Sequence, residues 1–199
     1  MFNKYNRKVE IQSVYCYDGT EVYINKFGVL DNEMLSHLES DLTSNRLLEM
    51  SENPVRGRFG TTHFLNIHKY IFQDIYPFAG KLREEDIWKG NTFFCKHEYI
   101  KSNLDNIFEK LKVDGYLKKL CREQFISKLA YYMSELNIIH PFREGNGRAI
   151  REYIRLLAIK NGYEVDWYKT NSEELLDASI LAVDFDYSKL ERCLSKVIR

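Results

Sequence analysis

His140-Pro141-Phe142-Arg143-Glu144-Gly145-Asn146-Gly147-Arg148-Ala149-Ile150-Arg151 sets an imidazole, a carboxylate, an amide, two glycines and three arginines in twelve positions, and then runs straight into an apolar helical pattern. That is the chemistry of a phosphate site. Gly145 and Gly147 lack a Cβ, so the backbone there can take positive φ and approach a ligand closely. The helix expected from about Gly147 would turn its first amides, which have no intrahelical partner, toward an anion. Arg148, Arg151 and Arg155, spaced three and four apart, are expected on one face of that helix. Arginine suits phosphate oxygens because its planar fork donates two hydrogen bonds and stays charged. His140 is the side chain of the stretch that titrates near neutrality and can take up a proton. Glu144 offers a hard oxygen ligand for Mg²⁺, which takes one or two protein carboxylates and completes its shell with phosphates and water.

Downstream, Ile150, Ile154, Leu157 and Ala158 form the buried side of the motif helix, and Asn161-Gly162 stops it. Upstream, Phe125, Leu129, Met133 and Leu136 make a helix that runs into the loop at 140, and Ile100, Leu104, Ile107, Phe108 and Leu111 make the one before it. Between residues 84 and 96 the period changes. Ile87-Trp88 and Phe93-Phe94 flank Gly90-Asn91, a dipeptide that closes tight hairpins. Phe64, Ile67, Ile71 and Ile75 form another buried stripe, capped by Thr61 or Thr62 and stopped by Pro77 and Gly80; His63 and His68 read as surface or packing residues of this helix. Asp31 caps an earlier helix carrying Leu38, Leu42 and Leu48 and ending by Asn53-Pro54. Residues 12 to 28 form a short hairpin or irregular arm. Ser172 starts a helix after the motif helix, and Tyr187, Leu190, Leu194 and Val197 line a last one, with Ser188 and Glu191 as a capping box.

The chain of 199 residues is therefore expected to be one domain, mainly α with a short β-hairpin flap: an arm over 1–30, core helices and flap over 31–162, and C-terminal helices over 163–199. Formal net charge is zero, which leaves no general basic field for a nucleic-acid backbone. Cys16, Cys95, Cys121 and Cys193 have no metal or redox spacing and read as reduced thiols in a cytoplasmic setting. The N-terminal run has no apolar signal core, and no stretch is long enough to cross a bilayer.

The run His140 to Arg148 resembles, at every position, the signature of the Fic family, and Arg151 matches the second arginine of its extended form. Ile75-Tyr-Pro-Phe-Ala-Gly80 and Lys89-Gly90-Asn91-Thr92 extend the resemblance, which spans the chain from about residue 15 onward. It implies a protein adenylyltransferase that moves AMP from ATP to a hydroxyl of a target protein and releases pyrophosphate. On that model His140 is the general base, and Gly145, Asn146, Gly147, Arg148 and Arg151 hold the phosphates. Glu144 holds Mg²⁺, and the flap tip Lys89, Gly90, Asn91 and Thr92 covers the nucleotide and docks the target. Family members acting as kinases carry Lys where Gly147 stands here, so Gly147 favours nucleotidyl transfer. Transfer of UMP, or a silent module that senses nucleotide, are the alternatives.

Many family members are held off by a helix whose glutamate pairs with the second arginine. Thr170 to Glu174 comes nearest to that pattern, with Leu175 where a small or amide residue is expected. The resemblance to stand-alone bacterial toxins therefore implies a separate small antitoxin that supplies the glutamate to Arg151. It also implies type II topoisomerase subunits as targets.

Overall fold

The computed structural model describes residues 12–89 and 92–199, among which seven α-helices and one two-stranded hairpin occur. The helices are α1 (Asn32–Glu52), α2 (Thr61–Phe72), α3 (Ile100–Val113), α4 (Arg122–Ile139), α5 (Asn146–Lys160), α6 (Ser172–Leu181) and α7 (Ser188–Val197). The strands β1 (Trp88–Lys89) and β2 (Thr92–Phe93) pair antiparallel with Trp88 opposite Phe93 and Lys89 opposite Thr92. The mainly α fold with a short flap is the one expected. Gly90 and Asn91, the expected flap tip, lie outside the described residues, as does the start of the N-terminal arm.

α5 is the central element. Ala149, Ile150, Tyr153, Ile154, Leu157 and Ala158 recur at three- and four-residue spacing, and all are buried against α2 and α4. Gly145 begins the helix at φ 78°, a left-handed conformation that a Cβ would oppose twice over. A Cβ there would strain the backbone and would also meet Phe72 Cζ at 2.1 Å. Asn161 ends the helix and Gly162 turns the chain away at φ 85°. Phe64, Phe72, Phe142 and Tyr153 are fully buried around it, and each such side chain stabilises the fold by about 2 kcal/mol.

Several helix ends differ from expectation. Asp31 does cap α1, accepting from Met34 N at 2.8 Å, and Asn53 ends it, but Leu48 points to solvent. The cap of α2 is Gly60; Thr61 is already helical, and its hydroxyl goes to Asp105 on α3 at 2.6 Å, a tertiary partner that outcompetes the local amide. At α6 the capping side chain belongs to Asn171, which accepts from Glu173 N at 2.8 Å. The capping box at Ser188 does not form: Tyr187 stands at the N-cap in helical conformation, and Asp186 accepts from Ser188 N instead.

Candidate functional site

The loop between α4 and α5 is fixed from beneath. His140 closes α4 in the left-handed region at φ 46°, and Phe142 drops into the core with no exposed surface. The side chain of Asn146 spends both ends on one residue, accepting from Phe142 N at 2.9 Å and donating to Phe142 O at 2.8 Å. His68, on α2, stacks on Phe142 at 3.7 Å between ring centres. Its Nδ1 accepts from Gly80 N at 2.8 Å, so Nε2 is the protonated nitrogen and donates to Glu144 O at 2.9 Å. Burial pushes the pKa of His68 down to about 3, so the ring stays neutral.

Above the loop lies a cavity of about 550 Å³. His140 and residues Arg143 to Gly147 form its floor, Ile87, Trp88, Thr92 and Phe94 of the flap region one wall, and Leu176, Ser179, Ile180 and Val183 the other. The imidazole of His140 stacks on Phe94 at 3.9 Å between ring centres. Its Nδ1 lies 3.1 Å from Asn137 O. A carbonyl only accepts, so Nδ1 carries a proton, and in the neutral ring Nε2 is the nitrogen with the lone pair. No side chain of a described residue caps α5, so the cavity meets the amides of its first turn. The amide of Gly145 itself donates to Glu144 Oε1 at 2.8 Å.

The three arginines expected to share a face part company. Arg148 is turned to α1, where it is ion-paired to Glu39 and donates to Thr43 Oγ1 at 3.1 Å, with Glu144 at 3.6 Å and the Phe72 ring below it. Tyr76 donates to the same Glu39. Arg155 forks onto buried Glu152 at 2.7 Å and reaches Met50 O, away from the cavity. Arg151 takes a third direction, toward a side cavity next to the one that His140 lines. It lies against Gly147, where an added Cβ would stand 3.3 Å from Arg151 Nη1. It lines a small side cavity of about 120 Å³ with Ser172, Leu175, Leu176 and Ser179. Burial and the neighbouring Arg148 both lower its pKa. Glu174 of α6 faces the other way and pairs with Lys196 at 2.6 Å.

Two residues of the site carried no local signal. Arg83 sits in a charged run that reads as solvated surface, yet it is buried beneath the loop and donates to His140 O at 2.8 Å. His68, which reads as a surface or packing residue of its helix, does pack, and its hydrogen bond to Glu144 O, a residue far away in sequence, also sets the loop. A larger cleft of about 800 Å³, beside Arg56, Arg58 and Tyr116, holds none of the motif residues.

Comparison with known proteins adds to this geometry. The family pattern described as Fic/DOC matches residues 58–158. The chain is 39% identical over 161 residues to the protein adenylyltransferase VbhT of Bartonella schoenbuchensis, with 81% of this chain aligned to 34% of VbhT. It is 34% identical to the probable protein adenylyltransferase Fic of Escherichia coli K12 over 92% of this chain and 91% of that protein. Among solved structures, the N-terminal Fic domain of a Bartonella quintana effector with bound ADP superposes with TM-score 0.88 at 23% identity, covering 93% of this chain and 94% of that one. BepC of Bartonella tribocorum, with bound AMPPNP, superposes with TM-score 0.87 at 22% identity over 93% and 96%. The family pattern spans more than half of the chain, including the motif loop and most of α5, the E. coli relative matches along nearly its whole length, and the chain belongs to the Fic/DOC family.

Proposed function

We propose that this chain is a protein adenylyltransferase that moves AMP from ATP to a hydroxyl side chain of a target protein. The observation that carries the reading is the pairing, in one cavity, of an imidazole with Nε2 as its basic nitrogen and the uncapped start of a buried helix. The likeness to VbhT, a protein adenylyltransferase, and to the probable protein adenylyltransferase Fic of E. coli supports it. The target oxygen attacks the α-phosphorus, the bond from that phosphorus to the bridging oxygen breaks, and pyrophosphate leaves. His140 Nε2 takes the hydroxyl proton. The first amides of α5, from Asn146 through Gly147 and Arg148, face the phosphates, and Arg151 supplies the charge that reaches them from the side.

Arg148 then acts chiefly through Glu39 and Glu144, stiffening the start of α5, and Asn146 acts by closing the loop. Magnesium fits the donor set, because Glu144 lines the cavity as a carboxylate held by Gly145 N and by Arg148, and one protein carboxylate plus phosphates is a usual Mg²⁺ shell. Bound there, the ion would neutralise charge on the phosphates. To Lys89, Gly90, Asn91 and Thr92 we assign the covering of the nucleotide and the docking of an extended target segment.

We extend the reading to control and setting. The chain acts as a toxin in the cytoplasm, type II topoisomerase subunits are its targets, and a small antitoxin supplies a glutamate to Arg151. The turn of Glu174 toward Lys196 supports a glutamate from outside the chain, since the candidate carboxylate nearest in sequence is engaged elsewhere. The test is α-labelled and γ-labelled ATP in bacterial lysate. The chain should transfer only the α label, and H140A should bind ATP yet lose about two to four orders of magnitude in transfer rate. Undiminished labelling by H140A, or transfer of the γ label, would overturn the reading.

A further inference from the structure

Arg83 is 2% exposed, and its guanidinium is spent on main-chain carbonyls. Nε donates to His140 O at 2.8 Å, Nη1 to Glu85 O, and Nη2 to Cys95 O and, at 3.4 Å, to Ile139 O. Its own amide donates to Pro141 O at 2.9 Å. Three successive carbonyls, from Ile139 to Pro141, therefore end on one residue. Glu85 and Cys95 belong to the two legs of the flap hairpin, one before β1 and one after β2. The nearest carboxylate among the described residues, Asp86, stands 4.0 Å away, and that carboxylate accepts from the His97 amide. The charge is instead met by the C-terminal end of α4, whose last carbonyls carry partial negative charge. A planar fork with five donors in fixed directions can span these acceptors; an ammonium cannot.

The position matters because His140 holds a left-handed backbone at φ 46°. A non-glycine residue holds such a conformation at a cost, and its surroundings keep it there. The Arg83 bond to His140 O is the side-chain bond that does so on this carbonyl. Phe94, on the flap side of the same clamp, stacks on the imidazole. Cys95 N also donates to Ile138 O at 3.1 Å, so flap leg and helix end are joined from both sides.

We propose that Arg83 is a positioning residue that locks the flap and the backbone of His140 into one frame, so that the base and the docked target hydroxyl meet in register. The inference rests on the reading of His140 as the base. It separates two properties: nucleotide binding at α5, which Arg83 does not touch, and proton transfer at His140, which it aligns. Displacement of a reacting group by about 1 Å costs about 100-fold in rate, which sets the size of effect expected.

The test uses the full chain with R83Q and R83K. Calorimetric affinity for AMPPNP with Mg²⁺ should change far less than the transfer rate in both, since α5 and Arg151 are untouched. Transfer from α-labelled ATP at saturating nucleotide should fall about 100-fold. The nitrogen-15 spectrum of the His140 ring should move from the Nδ1-protonated form toward a mixture of tautomers. R83K should resemble R83Q, since it keeps the charge and loses the fork; full rescue by R83K would overturn the proposal. So would wild-type transfer and an unchanged imidazole spectrum in R83Q. If R83Q does not fold, R83K carries the same three comparisons. If the wild-type chain transfers no label, the proposed activity falls, and the imidazole spectrum still decides on Arg83.

Discussion

Replacing His68 by glutamine should remove a defined share of the acid sensitivity of the fold. His68 has no exposed surface and lies between Phe72 and Phe142, 4.6 and 3.7 Å away between ring centres. Burial pushes its pKa down to about 3, whereas the unfolded chain titrates it near 6.5. A group with a depressed native pKa that is neutral when deprotonated binds its proton more readily in the unfolded state. Its contribution is therefore intact above about pH 6.5 and is lost as the pH falls from there toward the native value. Each pH unit in that window costs about 1.4 kcal/mol, so from pH 8 to pH 5 the loss is about 2 kcal/mol. The figure hardly depends on the native pKa as long as that lies below about 4, because the unfolded state sets the slope at pH 5. Glutamine can still donate to Glu144 O and accept from Gly80 N, but it does not titrate. Urea unfolding at pH 8 and pH 5, at constant ionic strength, should show wild type losing about 2 kcal/mol more than H68Q. His63, whose pKa burial also lowers, contributes to both proteins and cancels. Equal losses in the two proteins would refute the claim that His68 is buried neutral at the loop.

G145A places a Cβ at φ 78° and 2.1 Å from Phe72 Cζ, and should destabilise the chain by about 3 kcal/mol in urea unfolding. E39A strips Arg148 and Tyr76 of their shared, mostly buried carboxylate and should cost about 2 kcal/mol, between the limits for surface and buried pairs, measured the same way. E144A should raise the magnesium concentration needed for half-maximal label transfer about tenfold, read from a magnesium titration at fixed ATP.

What the sequence made legible was whatever a period or a short turn signal encodes. The stripes of α3 and α5 came out buried as read; α2 ends at Phe72, so Ile75 is buried beyond the helix, and Tyr187 stands half-buried at the N-cap of α7, while Asp31 capped α1 and Trp88 and Phe93 paired across the expected hairpin. The motif was legible as a group of residue types. Which way each member points was not. Arg148 and Glu39 lie 109 residues apart, and Arg83 meets His140 across 57, so no local pattern records either pairing. Helical spacing put Arg148, Arg151 and Arg155 on one face, but long flexible stems let each follow its own acceptor: Glu39 for the first, Glu152 for the third. Asn146 reads as a ligand donor by chemistry, and the loop claims its amide first because Phe142 N and O lie within reach. Thr61 shows the same competition, with a distant carboxylate winning over the helix end next to it.

The contrast between Arg148 and Arg151 carries an energetic consequence. Two guanidinium groups three residues apart repel, and the fold answers one of them with Glu39 while Arg151 makes no hydrogen bond or ion pair with any described residue. Burial and Arg148 depress its pKa, which says that its charge is held at a cost in the free chain. An anion that reaches Arg151 offsets that cost, so part of its binding energy was set aside during folding by leaving this cation unanswered. Gly147 eases the arrangement, because a Cβ there would stand 3.3 Å from Arg151 Nη1 and push the guanidinium a few tenths of an ångström from the first turn of α5. Arg151 lines the small side cavity and His140 the larger one, and Gly147, at the start of α5, lines both.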